Sequence, residues 1–337
     1  MAMSNSLTLS SATFAKLSPH PFLLANLQPS DPSTTSSRTN GRQPRQARPY
    51  TINNSSLSHA HGSAVVRSGD TTVICGVRGE TLLTSQIPNY RAPQLGETVV
   101  GDELRDYDLL VPNVELATGC APNFLPGVPP TTLAQTLSTR LFTLLHSSKL
   151  LSADNLRIYH DTSEIQGEGD AEEEDIGETT KEVKAYWVLY IDVLFVSFDG
   201  NPFDVAWAAI VSALRDTKLP SAYWDVDREI VLCSRPTDKE PIPLRLHGLP
   251  VACTAAVFTE REKQKKGSGQ FWILVDPDRL EESLCDETVT IVVDNTEGET
   301  NILTISKSGG TVVGPAVMRE FANVASTRWK EFRAALQ

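Results

Sequence analysis

Residues 62–80 read GSAVVRSGDTTVICGVRGE. Alternation marks two strands, 64–67 and 72–77, with Ser68-Gly69-Asp70 as the turn between them. In the second strand Val73, Cys75 and Val77 share one face, and Ile74 and Gly76 share the other. So short a connection makes the pair an antiparallel hairpin.

Working outward, LLVPNVEL supplies a further strand near 110–116. The spacing of Leu133, Leu137, Leu141, Leu144 and Leu145 predicts a helix over 131–145. AYWVLYIDVLFVSF, 185–198, is almost continuously apolar, and its β-branched and aromatic content predicts a central buried strand. A DGNP turn follows, then a helix over 203–214 with Asp204 in its first turn. Residues 215–245 are mixed and Pro-punctuated, which reads as a boundary. Beyond it come strands at 251–258, 271–275, 288–293 and 301–306, and a closing helix from Pro315 to about Leu336. Strands and helices fall into two similar halves, so the class is α+β with two lobes. Before the hairpin, a helix over 11–27 is divided by Pro19 and Pro21. The polar stretch after it, with Arg38, Arg42, Arg45 and Arg48, reads as an extended arm outside the core.

The 337 residues carry a net charge of −12. Residues 161–182 hold ten acids and one lysine, so −9 of that charge sits in one segment and the body is nearly neutral. Charge at that density, with little to bury, predicts a mobile, solvated loop. No apolar run reaches the roughly 18 residues of a spanning helix, so no membrane role is expected. Five scattered cysteines, none spaced C-x-x-C, argue against a disulfide framework or a structural zinc. The start lacks a secretory layout, and its Ser/Thr-rich character resembles a transit peptide only faintly, because Lys16 is its sole basic residue before Arg38.

The hairpin, the Arg38-Thr39-Asn40-Gly41-Arg42 arm, VPNVEL, the strand ending in Asp199-Gly200-Asn201, LVDPDRLEE and SKSGG occur in this order. Together they resemble the RNase PH-like subunits of the eukaryotic RNA exosome ring. The arm has Thr39-Asn40 where that family usually carries Pro-Asp, and the acidic segment is extra. The resemblance implies an RNase PH-like fold of two α/β lobes, the first similar to ribosomal protein S5 domain 2. It divides the chain into an arm (1–60), a first domain (61–215) containing the acidic loop, and a second domain (245–337). It implies a hetero-hexameric ring of RNase PH-like subunits, pairing with a subunit similar to ribosomal RNA-processing protein 46, and S1-domain cap proteins over an RNA channel. It also implies a role in RNA decay and rRNA processing in nucleus, nucleolus and cytoplasm.

Active members of the family carry Gly-Gly-Thr-Arg after the Asp that ends the central strand, to hold phosphate, and two aspartates six residues apart. Here Pro202 and Phe203 stand for the Thr and Arg, and the aspartate places fall at Ser283 and Val289. Glu281, Glu282, Asp286 and Glu287 leave a shifted acidic site formally open. The resemblance therefore points to a non-catalytic structural subunit without cofactor. The alternatives are an active phosphate-dependent 3′–5′ exoribonuclease, or an unrelated interaction protein with an accidental likeness. Asp199 and Asp204 read either as a carboxylate pair or as a turn residue and a helix-start residue. His59 and His61 lack a third metal ligand in view, and Gly309-Gly310 reads as a tight turn. RNA contacts are expected from Arg38, Arg42, Arg45, Arg48, Arg67 and Arg78, whose planar forks suit phosphate. The competing expectation pairs some of them with carboxylates of a neighbouring subunit.

Overall fold

A computed structural model describes residues 10–29, 31, 33, 35–92, 102–161, 181–260, 270–285 and 287–337. The expected loop over 161–182, from 162 to 180, and Asp286 lie outside them.

The first lobe is built on the hairpin. β2 (Gly62–Ser68) and β3 (Thr71–Leu83) pair antiparallel, Ser68 opposite Thr71. Gly69 turns with φ +60°, and a Cβ there would lie 2.5 Å from the Arg48 side chain, so only glycine fits. β1 (Tyr50–Asn54) adds to one side of β2, and β6 (Lys181–Ser197) to the far side of β3. β6 also pairs with β4 (Leu110–Leu116), in parallel, and with β5 (Arg157–Asp161), antiparallel. The sheet order is β1-β2-β3-β6-β4, with β5 joined to β6. β1 belongs to this sheet, so the first lobe begins before the expected boundary at 61. A helical turn, α3 (Glu103–Asp106), leads into β4, and α4 (Thr132–Ser147) follows it.

The inward residues of β2, β3 and β6 (Ala64, Val66, Val73, Cys75, Val77, Val193, Phe195) are fully or almost fully buried. They meet α5 (Pro202–Asp216), which touches β2 and β3 on one side and the Val251–Thr259 strand of the second lobe on the other. Every residue of α5 from Pro202 to Leu214 is buried, because a helix between two sheets has no solvent face. Its Trp207 donates its indole N–H to Pro250 O at 2.9 Å.

Residues 218–243, read as a boundary, hold two small ladders: β7 (Lys218–Leu219) with β10 (Ile242–Pro243), and β8 (Ala222–Asp225) with β9 (Ile230–Cys233). The second lobe is an antiparallel sheet in the order β12-β11-β13-β14. Its strands are β11 (Val251–Thr259), β12 (Phe271–Val275), β13 (Glu287–Asp294) and β14 (Asn301–Ser308). The short helix α6 (Arg279–Leu284) lies between β12 and β13. One face of the sheet is covered by α7 (Pro315–Ala335), which buries Phe321, Ala325, Trp329 and Phe332. On the other, Leu23 and Leu27 of α2 (Pro19–Leu27) close over Ala256, Phe258 and Leu274. α2 is separated from α1 (Ser11–Leu17) at Ser18, because Pro19 sits at the first helical position. Gly309-Gly310 forms the bend between β14 and α7. No helix among the described residues is long and apolar enough to cross a membrane.

Candidate functional site

β6 ends in the turn Asp199-Gly200-Asn201 that feeds α5, and this turn is pressed against the second lobe. Gly200 has φ +79°, and a Cβ there would lie 2.5 Å from the Asp278 carbonyl carbon and 2.6 Å from Arg279 N. Backbone cannot yield to that contact, so the close approach of the lobes requires glycine. Asn201 is left-handed at φ 49°, a conformation asparagine tolerates, and it holds the N-cap position ahead of Pro202 without a side-chain bond to the helix N–H groups.

Asn201 sits at the centre of a carboxylate cluster. Its side-chain N–H₂ donates to Asp204 Oδ2 (2.9 Å) and Asp276 Oδ1 (2.8 Å). Its backbone N–H donates to Glu282 Oε1 at 2.7 Å. Asp204 also accepts from Thr254 N (2.7 Å) and Thr254 Oγ1 (2.6 Å), so it stitches the start of α5 to β11. Burial raises its pKa against these hydrogen bonds. Asp199 lies across from Arg48. The two differ in setting: Asp204 is buried in a lobe-to-lobe bond, whereas the side chain of Asp199, the turn residue, is 39% exposed beside Arg48.

The arm runs into this cluster. Arg48 donates from N and Nε to Asp276 Oδ2 and from Nη2 to Oδ1, each at 2.8 Å. Its Nη1 reaches Asp199 O at 2.8 Å. Burial alone would raise the Asp276 pKa, but Arg48 and Asn201 hold it down to about 2. Arg38 is buried and donates to Glu281 Oε2 (3.2 Å), Asp276 O (3.3 Å), Pro44 O and Val275 O. Desolvation lowers its pKa to about 10 despite the Glu281 charge. Arg42 reaches Asp276 O (3.0 Å) and Oδ2 (3.4 Å). In turn, Val275 N donates to Pro44 O at 2.9 Å, fastening the arm to β12.

This corrects the expected arm and the expected RNA contacts. Arg38, Arg42 and Arg48 are internal ties between the arm, the first lobe and the second, and their carboxylates belong to this chain. Arg45, Arg67 and Arg78 are different: their side chains are 60–63% exposed, and among the described residues their ion pairs are with the surface acids Glu320, Asp70 and Glu80. Such pairs contribute little and exchange readily.

The expected acid positions also move. Ser283 is exposed on α6 and donates to Leu280 O, and Val289 is fully buried in β13 opposite Ala255. The carboxylates that stand six residues apart at a strand end, beside the Asp199 turn, are Asp276 and Glu282. Counting from the end of the 271–275 strand would have found them. Burial pushes the Glu282 pKa up to about 7 against the Asn201 N–H bond. Where a phosphate-holding threonine and arginine were sought, Pro202 offers no N–H and the Phe203 ring is buried under Arg140, whose guanidinium carbon lies 4.0 Å from the ring centroid. His61 accepts from Gly79 N at 2.9 Å through Nδ1, a structural bond beside β3, and His59 is exposed.

Two α+β lobes meeting at a buried cluster of arginines and carboxylates are the arrangement of a known family of two-domain proteins. Residues 46–220 match the model of the 3′ exoribonuclease family, domain 1, and residues 248–328 match domain 2 of the same family. The chain belongs to the 3′ exoribonuclease family. It is 31% identical to exosome complex component rrp43 of Schizosaccharomyces pombe over 87% of both chains. It is 25% identical to exosome complex component Rrp42 of Archaeoglobus fulgidus over 86% of both. Among solved structures, the Archaeoglobus fulgidus exosome with RNA bound to the active site shares the fold at TM-score 0.62 and 24% identity, over 94% of this chain and 97% of that one. An archaeal exosome core shares it at TM-score 0.59 and 21% identity, over 93% and 96%. The RNase PH-like fold and the kinship with exosome ring components agree with what the motifs implied.

Proposed function

We propose that the chain is a non-catalytic structural subunit of the RNA exosome ring. It supports 3′–5′ RNA degradation and rRNA processing by shaping the RNA channel and binding neighbouring subunits. The observation that carries the reading is the closed turn at the start of α5. An incoming phosphate needs free N–H groups and an unmatched cation. Here the Asn201 N–H is engaged by Glu282, Pro202 has none, and Arg38, Arg42 and Arg48 are engaged by Glu281, Asp276 and Asp199; Arg140, stacked on the Phe203 ring, lines a separate cleft that neither Asn201 nor the acids Asp276 and Glu282 border. The relatives, named as exosome components, support the ring. Exposed apolar side chains at Ile302, Ile305 and Val312 are surface a ring neighbour would cover. The expected neighbours are an RNase PH-like pair partner similar to ribosomal RNA-processing protein 46 and S1-domain caps, in nucleus, nucleolus and cytoplasm.

One observation favours the other reading, a phosphate-dependent exoribonuclease: Asp276 and Glu282 retain acidic groups six residues apart. The assay is direct. The chain, alone and with its copurifying ring subunits, is incubated with labelled RNA, Mg²⁺ and phosphate. No phosphate-dependent release of nucleoside diphosphates is expected from the chain. Release that disappears in Glu282→Gln would overturn the structural reading.

A further inference from the structure

Among the described residues, Arg140 is a cation without a matching charge. It projects from α4 and is half-buried, and no carboxylate among the described residues lies within ion-pair distance. Its Nη2 donates to Thr290 Oγ1 at 2.9 Å, and its plane rests over Phe203. Its remaining N–H groups make no hydrogen bond among the described residues. Thr290 continues through Thr254 Oγ1 (3.0 Å) to Asp204, so the guanidinium is held in place by a chain of hydroxyls rooted in the lobe junction. Burial lowers its pKa, and the more distant Asp204 charge offsets only part of this.

Arg140 lines a cleft of about 240 Å³ between α4 and the β13–β14 face of the second lobe. Of the residues at the Asp199 turn, only Phe203 borders it. Three α4 hydroxyls share one wall. Thr139 donates to Gln135 O (2.9 Å), Thr143 to Thr139 O (2.8 Å) and Ser147 to Leu144 O (3.4 Å). With their protons engaged in the helix, these oxygens present lone pairs to the cleft. Opposite them stand Thr304 and Ser306, and Leu144 and Val292 add an apolar contact.

A guest must therefore bring negative charge to Arg140 and hydroxyl donors to the α4 oxygens. A phosphate monoester on a polyol does both; a bare anion does only the first. The volume is below the ~300–1,000 Å³ of ordinary ligand pockets, which admits one sugar phosphate and not a length of strand. We propose that the Arg140 cleft is a binding site for a single phosphorylated ribose. That group comes either from a free nucleotide or from a phosphorylated RNA end. The site stands independently of the ring reading, because none of its chemistry depends on assembly.

The test is calorimetry on the full chain, free and in its copurified assembly, with ribose 5-phosphate, adenosine 5′-monophosphate, sulfate and a short 5′-phosphorylated RNA. Ribose 5-phosphate and the nucleotide are expected to bind saturably, and sulfate several-fold more weakly. Loss of a charge-assisted hydrogen bond in Arg140→Met is expected to weaken binding about tenfold or more, and loss of one hydroxyl in Thr304→Val about two- to tenfold. The second variant lies on an edge strand and guards against a folding defect in the first. Competition by the phosphorylated RNA assigns the source to an RNA end, and its failure to compete assigns it to the free nucleotide. Three results overturn the site: no saturation by either ribose phosphate, equal affinity in Arg140→Met, or binding by the free chain that vanishes in the assembly, which would mean that a neighbouring chain fills the cleft.

Discussion

The arm and the β2–β3 hairpin each carry arginines that read alike in the sequence, yet the fold uses them in opposite ways. Arg38 and Arg48 lie buried against acids more than 220 residues away, whereas Arg67 and Arg78 stand in solvent beside acids two or three residues away. A charge is informative only once its partner is known. Sequence distance alone does not decide the outcome: Arg45 pairs with Glu320 over 275 residues and stays 60% exposed, and Arg328 pairs with Glu331 three residues on and is buried. What takes Arg38 and Arg48 inward is the set of buried carboxylates and carbonyls at the lobe junction, whose hydrogen bonds offset their desolvation.

The largest effect that would break this contrast is at Asp276. Asp276→Ala removes the acceptor of Arg48, Arg42 and Asn201 at once and leaves buried cations uncompensated. We expect a loss of about 3–5 kcal/mol, read as a thermal midpoint lower by on the order of 10 °C. Arg78→Ala, the hairpin control, should change stability by less than about 0.5 kcal/mol. Equal midpoints for the two variants would show that the arm is no tie.

Glu282 gives a pH-dependent version of the same comparison. Its pKa is raised in the fold, from an ordinary carboxyl value near 4.5 to about 7. The folded state therefore holds a proton that the unfolded chain has released, and stability from this group falls as pH rises from about 4.5 through 7. Asp276 acts oppositely: its contribution is present above the ordinary carboxylate range and is lost only as pH falls toward 2. Glu282→Gln keeps the acceptor for the Asn201 N–H and removes the titration. Its midpoint should gain on the parent between pH 5 and pH 8 by a few degrees, and a constant difference across that range would contradict the assignment.

The smallest effect belongs to the surface set. Replacing Arg45, Arg67 and Arg78 together with Ala should leave the midpoint nearly unchanged. If they meet RNA phosphates, the slope of log affinity against log salt for single strands flattens by roughly 0.7 per lost contact. An unchanged slope would remove these three as phosphate contacts.

Much of the fold was legible because periodicity is local. The 110–116 and 271–275 strands have the bounds their patterns predict, and α4, α5 and α7 fall within two residues of theirs. β1 was missed because only Tyr50 of its five residues is buried. The small ladders within 218–243 were missed because two- and four-residue strands have almost no period to read. The candidate site was legible in its first half, the Asp199–Phe203 turn, and not in its second. Asp276 and Glu282 become visible only once the end of β12 is fixed against that turn. No local signal marks Arg38 as buried, since its neighbours are polar and, apart from Pro44 O, its acceptors lie at 275, 276 and 281.

The arm's ties also set an order of events during synthesis. Arg38 leaves the ribosome 238 residues ahead of Asp276, the carbonyl it will bond. At about 5–20 residues per second, the guanidinium waits roughly 12–50 s for its acceptors to be made. During that interval α5 and the first sheet can close, but the second lobe, and with it the burial of the arm, cannot. The arm thus emerges well before its partners and is among the last parts to dock. Throughout that window a basic, unfolded tether is open to chaperones and to any polyanion nearby, including the very messages being translated.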